Sequence, residues 1–225
     1  MKSIALFDID ETIFSQQSLF PVIKKMVDLG LLQSSILTDI DIEYKKYKNQ
    51  LQSYSEAGNN ILNLFCLSLA GKEYSLTYKV VKDFFVENQA NFYHFFPEIL
   101  PKLKTTHEVY LVTANSQMFG EAVNEMFGLD GYLSTSFEVV DKKFTGKILN
   151  SLADGKHIVE ELLSNYEGAT MAFGDSENDI GMLKRVSIPI CVNPTPKLLI
   201  HAKEKNWTVV SDQNAYEKIL DLLEP

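Results

Sequence analysis

Four short apolar runs, each leading into polar residues, constrain the fold more than any other feature of the chain: Ser3–Phe7, Glu108–Thr113, Ala169–Gly174 and Ile188–Val192. Runs that are apolar throughout, not alternating, are what strands buried on both faces look like. Helical periodicity fills the intervals. Phe119, Val123, Met126 and Phe127 follow the second run, and Ile158, Val159, Leu162 and Leu163 precede the third. Strand alternating with helix predicts an α/β fold, a doubly wound, Rossmann-like parallel sheet.

One stretch breaks the alternation. From residue 15 to residue 96 helical patterns recur without a strand, among them Leu19/Ile23/Met26/Val27 and Leu76/Val80/Val81/Phe84. A structureless loop of that length inside a domain is improbable, so the expected organisation is an α/β core of residues 1–14 and 97–225 carrying an all-helical cap of residues 15–96. Phe137–Gly146, alternating weakly around Asp141-Lys142-Lys143, reads as a β-hairpin beside the main sheet with a structural role.

Composition excludes several classes of function. The 225 residues carry 30 acidic against 21 basic side chains, a net charge of −9, which argues against nucleic acid or anionic lipid as a partner. Arg185 is the only arginine, so an anionic ligand would be held by lysine, hydroxyls and backbone N–H groups, not by guanidinium forks. Cys66 and Cys191 lack the spacing of a zinc site or a disulfide framework. No apolar run approaches the ~20 residues of a membrane span, and Met1–Phe7 stops at an aspartate too early for a signal peptide. A cytoplasmic protein is expected.

In open parallel sheets, ligands sit beyond the carboxyl ends of the strands. Here the first run leads into Asp8-Ile9-Asp10-Glu11-Thr12, the second ends in Thr113-Ala114-Asn115, and the third leads into Gly174-Asp175-Ser176-Glu177-Asn178-Asp179. Gly155-Lys156 precedes the helix before that third run. Asp8 and Asp10, two apart, share a face of extended backbone. With Asp175 and Asp179 they make an oxygen-rich pocket suited to Mg²⁺, and Lys156 adds a compact positive charge. Such a site activates a phosphoryl group: cation and lysine neutralise its oxygens while a carboxylate attacks phosphorus in line. The expected intermediate is an aspartyl phosphate, with Asp10 protonating the leaving oxygen and then activating water.

These four elements, in this order, resemble the motifs of the haloacid dehalogenase superfamily. Phe144-Thr145-Gly146, Val192–Leu198 and Asn206-Trp207 extend the likeness to its phosphoserine-phosphatase-like subfamily IB. The resemblance implies a helical cap of the C1 type and a Mg²⁺-dependent phosphomonoesterase. It implies Asp8 as nucleophile and metal ligand, Asp10 as acid/base and metal ligand through its carbonyl, Asp175 as third ligand, and Asp179 holding metal-bound water. Thr113 would bind the phosphoryl group and Lys156 would balance its charge, with Ile9, Ala114 and Asn115 completing the phosphate and substrate contacts. Thr12, Ser176 and Asn178 would support them. An aspartate at position 10 argues against dehalogenation, whose leaving group needs no proton.

The cap sets the substrate expectation. Phosphoserine phosphatases of this class use a cap arginine, and none stands between Ser15 and Phe96. Phosphoserine is therefore disfavoured, and a small phosphorylated metabolite is expected. Tyr44, Tyr47, Tyr54, Tyr74, Tyr78 and Tyr93 fall in the cap region. A subset facing the site would suit an aryl or phosphopeptide leaving group, and Lys45, Lys46 and Lys48 could attract an anion. A phosphotyrosine or phosphoprotein phosphatase, a phosphotransferase with the same motifs, and a non-catalytic scaffold are the alternatives.

Overall fold

The computed structural model describes residues 2–152 and 159–223. Its centre is β1 (Ser3–Phe7), hydrogen-bonded in parallel to β2 (His107–Ser116) on one side and to β5 (Thr170–Gly174) on the other. Outward from β2 lie β3 (Gly131–Val140), parallel to it, and β4 (Lys143–Asn150), antiparallel to β3; outward from β5 lie β6 (Ile188–Val192) and β7 (Thr208–Val210). The sheet order is therefore β4-β3-β2-β1-β5-β6-β7. The chain leaves β1 for β2 on one flank and returns to β5 on the other, which opens a crevice at the carboxyl end of β1.

Strand periodicity explains the two layers. Ala5 and Phe7 point into one apolar cluster, whereas Ile4 and Leu6 point into the other. The first cluster is covered by α5 (Phe95–Leu103), α6 (Gln117–Phe127) and α10 (Ala215–Leu223); the second takes in α7 (Val159–Leu163), α8 (Ile180–Leu183) and α9 (Pro196–Lys205). Phe7 stacks on Phe173 of the neighbouring strand at 4.0 Å and meets Phe96 edge-on at 5.1 Å. These contacts fix β1 against β5 just beneath the polar strand ends.

Between β1 and α5 the chain forms α1 (Leu19–Asp28), α2 (Ser35–Lys48), α3 (Tyr54–Ser68) and α4 (Tyr74–Glu87). α4 packs on α1 and on α6, α2 pairs with α3, and α3 lies along β4. Glu43, buried in α2, accepts from Asn60 and Lys46, which pins the α2–α3 pair. Ser53 and Glu56 cap α3 reciprocally.

The hairpin expected at Phe137–Gly146 is present but is part of the sheet, not an appendage beside it: β3 pairs with β2 through its first half and with β4 through its second. Asp141 and Lys142, both left-handed (φ 48° and 66°), form its two-residue turn. Its role extends to the helical segment. The Gly71 N–H donates to the Phe144 carbonyl (2.8 Å), the Phe144 N–H to the Lys72 carbonyl (3.0 Å), and the Tyr74 N–H to the Lys142 carbonyl (2.8 Å). The α3–α4 turn is thus stitched to the sheet edge by main-chain bonds.

Candidate active site

The three polar strand ends meet in the crevice. Asp8 follows β1 directly, Thr113 and Asn115 lie at the end of β2, and Asp175 follows β5. Asp8, Asp175 and Asp179 are buried, and each offers a carboxylate oxygen within 4.8 Å of the others. Two full negative charges 4.8 Å apart repel by roughly 3 kcal/mol at an effective dielectric constant near 20. Such a group favours a cation among its oxygens, and an all-oxygen donor set of this charge fits Mg²⁺. The Thr12 hydroxyl sits between two of the three, 3.4 Å from Asp8 Oδ2 and 3.3 Å from Asp175 Oδ1.

Asp179 is held from below. Its Oδ2 accepts from the N–H groups of Asp175 and Ser176, both at 3.0 Å, and from the Ser176 hydroxyl at 3.3 Å. The short 3₁₀ turn Glu177–Asp179 begins on Ser176 as a capping box, which folds the aspartate back under the strand end. The Thr195 N–H then donates to the Asp175 carbonyl at 2.8 Å, so the loop is secured from the β6 side too.

The Asp10 carboxylate is not one of the three grouped within 4.8 Å. Its Oδ2 accepts from the backbone N–H of Ser18 (3.0 Å) and from Asn115 Nδ2 (3.0 Å), while its Oδ1 is buried without a hydrogen-bond partner among the described residues. Burial pushes its carboxyl up to about 6, against the bonds from Ser18 and Asn115 that favour the charged form. Glu11, next in the chain, takes a left-handed turn (φ 60°), its N–H donating to the Phe14 carbonyl.

The sequence expectation for Asn115 was substrate contact. Asn115 lines the cavity floor, its side chain gives both amide hydrogens to the protein, to Asp10 and to Ser18 Oγ (3.2 Å), and its N–H donates to Thr113 Oγ1 at 3.1 Å. Ile9 is buried in the core. The Ala114 carbonyl accepts from the Thr135 hydroxyl at 2.6 Å. Lys156, with Gly155, His157 and Ile158, lies outside the described residues.

Above the carboxylates a cavity of about 670 Å³ opens, floored by Asp8, Asp10, Thr113, Asn115, Asp175, Ser176 and Asn178. Its walls come from the helical segment: Leu19, Phe20 and Ile23 of α1, Ile40, Tyr44 and Tyr47 of α2, and Tyr54, Ile61 and Leu62 of α3. Tyr47 stands between Tyr44 and Tyr54, ring centroids 6.5 and 5.6 Å away. Burial, then the charges of Asp175, Asp8 and Asp179, push the Tyr54 hydroxyl far above its usual range, so it stays protonated. The other tyrosines have other duties. Tyr74 bonds Glu121 of α6 and stacks on Tyr78, and Tyr93 packs beside Phe95.

The lysines of α2 do not line the cavity. Lys45 pairs with Asp41 and Lys46 with Glu43, both at 2.5 Å, and Lys48 lies over the Tyr44 ring. Arg185 binds Glu160 and the Gly181 carbonyl. Among the described residues lining the cavity the charged side chains are all acidic: Asp8, Asp10, Glu11, Asp41 and Asp175. No helix among the described residues is long and apolar enough to cross a membrane.

The sequence profile of the haloacid dehalogenase-like hydrolases matches residues 5–184. The chain is 26% identical over 230 residues to a histidinol-phosphatase of Neisseria meningitidis serogroup C (strain 8013), a match covering 94% of this chain and 99% of that protein. Its fold is similar to that of a protein of unknown function from Bordetella pertussis Tohama I, with a TM-score of 0.78 at 21% identity, covering 94% of this chain and 99% of the other. It is also similar to a phospho-aspartyl intermediate analogue of phosphoserine phosphatase, with a TM-score of 0.68 at 17% identity and 98% of each chain covered.

Proposed function

The chain belongs to the haloacid dehalogenase-like hydrolase family, and we propose that it is a phosphatase that hydrolyses small phosphomonoesters with Mg²⁺ through a phosphorylated Asp8. The observation carrying this reading is the convergence of Asp8, Asp175 and Asp179 within 4.8 Å, with Asp8 and Asp175 on the floor of a cavity that Asp10 also lines. Asp8, Asp175 and Asp179 would hold the cation, which when bound neutralises charge on the phosphoryl oxygens and on the site.

Each step belongs to a residue of the chain. An oxygen of Asp8 attacks phosphorus; the new bond to Asp8 forms as the bond to the ester oxygen breaks. Asp10, protonated, gives its proton to that oxygen, and the alcohol leaves neutral. The resulting Asp10 carboxylate then takes a proton from the water that attacks the aspartyl phosphate. Inorganic phosphate departs and Asp8 returns as carboxylate. The Thr113 hydroxyl, buried at the cavity floor, would donate to a phosphoryl oxygen, and Lys156 would supply the matching positive charge. Helices α1–α4 would act as the cap that keeps bulk water from the intermediate.

The substrate class follows from the walls. With an acidic charged lining and Arg185 committed elsewhere, a leaving group bearing a carboxylate is repelled, whereas a neutral or cationic one with an apolar or aromatic body is accommodated. Histidinol phosphate, an amine with an imidazole ring and no carboxylate, heads the panel on this ground, and the name of the Neisseria relative points the same way. The phosphopeptide alternative is less favoured, since the cavity is walled by three helices.

Phosphate release from amino-alcohol, sugar, nucleoside, aryl and peptide phosphomonoesters tests the proposal. Release should require Mg²⁺, stop with a chelator, and favour carboxylate-free esters over phosphoserine. Failure to release phosphate from any ester with Mg²⁺ present would overturn the hydrolase reading, and a preference for phosphoserine would overturn the substrate class. Phe20 and Tyr44, 47% and 49% exposed at the cavity wall, give a finer check. Replacing either with alanine should raise KM several-fold for an aryl ester, the loss of about 0.5–1.5 kcal/mol expected for one aromatic pair, and should change KM less for a methyl ester.

A further inference from the structure

We propose that Asn115, with the backbone N–H of Ser18, is a positioning device that fixes the orientation of the Asp10 carboxyl for proton transfer. The inference rests on the reading of Asp10 as the acid and base. It assigns Asn115 to the acid instead of to the substrate.

The geometry is asymmetric in a way that a casual surface contact is not. Both donors, Ser18 N–H and Asn115 Nδ2, reach the same oxygen, Oδ2, at 3.0 Å each, and the other oxygen is buried with no partner among the described residues. Rotation of the carboxyl group would break both bonds at once. A proton on Oδ2 would face two donors, so the protonated form carries it on Oδ1. The orientation of the amide is equally determined, because its NH₂ points at two oxygens, Asp10 Oδ2 and Ser18 Oγ. The three groups come from the loop after β1, the end of β2 and the residue preceding α1, and Asn115 lies 105 positions from Asp10 and 97 from Ser18. Ser18 is fully buried and Asn115 nearly so, so water does not compete for these bonds. The start of α1 is thereby tied to the residue that moves the proton.

Proton donation matters in proportion to how poor the leaving group is, which supplies the test. The wild-type protein, Asn115→Ala, Asn115→Leu and Asp10→Asn are compared on 4-nitrophenyl phosphate, whose leaving group departs as a stable anion, and on an alkyl phosphomonoester. The leucine variant fills the space of the amide without its donors, should alanine fail to fold. Misplacing a catalytic group costs on the order of 10²-fold, so kcat/KM on the alkyl ester, which reports phosphoryl transfer to Asp8 and not the later hydrolysis common to all esters, should fall by about that factor in both Asn115 variants. On the nitrophenyl ester kcat/KM should fall far less, whereas kcat can fall on both, since Asp10 also serves the hydrolysis of the aspartyl phosphate. Equal loss of kcat/KM on both esters would overturn the proposal in favour of a structural or substrate-binding role. If Asp10→Asn itself shows no dependence on the leaving group, the acid role falls, and the positioning role falls with it; if only the Asn115 variants lack it, the acid role stands and the positioning role alone is overturned.

Discussion

Asp8→Asn should abolish phosphate release from every ester while leaving the fold unchanged. The substitution is nearly isosteric at a buried position, so packing is preserved. The amide has no anionic oxygen with which to attack phosphorus; of the neighbouring carboxylates, Asp10 is held by Ser18 and Asn115, and Asp179 accepts two main-chain N–H groups. The change also removes one of three carboxylates from the cation site. Mg²⁺ that binds the native state raises stability by RT ln(1 + [Mg²⁺]/Kd), so the rise in Tm produced by Mg²⁺ should shrink in the variant. Activity assays and thermal unfolding with and without Mg²⁺ separate the two effects. Full activity in Asp8→Asn would sink the covalent mechanism, and an unchanged Mg²⁺ shift would remove Asp8 from the cation site.

What was legible in the sequence, and what was not, follows from the range of the interactions. β1, β2, β5 and β6 were readable because strands whose interiors are buried on both faces carry consecutive apolar residues there, and Ser3–Phe7 and Ile188–Val192 were delimited to the residue. β7, three residues long, and the half-exposed β3 leave no such run. The aspartates were legible because each sits at the end of a readable strand or one turn beyond it. The tie from Asn115 to Asp10 was not. It joins residues 105 positions apart, and the spacing of Thr113 and Asn115 along one strand suggested a shared, ligand-facing role. Periodicity likewise marked the tyrosines as belonging to helices without separating Tyr44, Tyr47 and Tyr54, which wall the cavity, from Tyr74 and Tyr78, which pack on α6. That division depends on how α2 and α3 cross above the sheet, and local sequence does not encode it.

Gly174→Ala should damage the site through sterics alone. A Cβ at this position would lie 2.4 Å from Asp179 Cβ, 2.5 Å from its Cγ and 2.7 Å from its Oδ2. Asp179 is fully buried, and its Oδ2 is held by the main chain of Asp175 and Ser176, so it cannot swing aside without surrendering those bonds. The added methyl therefore either bends β5 or expels the aspartate from beneath Asp175, and in both cases the three carboxylates lose their mutual geometry. Overpacking of this kind costs about 1–3 kcal/mol, and activity should fall further than this loss of stability explains. Gly168→Ala is the matched control: its Cβ would lie 2.4 Å from Ser3 Oγ and 2.8 Å from the Lys2 carbonyl, at the opposite, amino end of β1. Both variants should melt earlier than the wild type, but only Gly174→Ala should lose Mg²⁺-dependent stabilisation and turnover. Parallel loss in both would mean that strain anywhere along the central strands is sufficient, and that the bend at Gly174 has no special claim on the cation site.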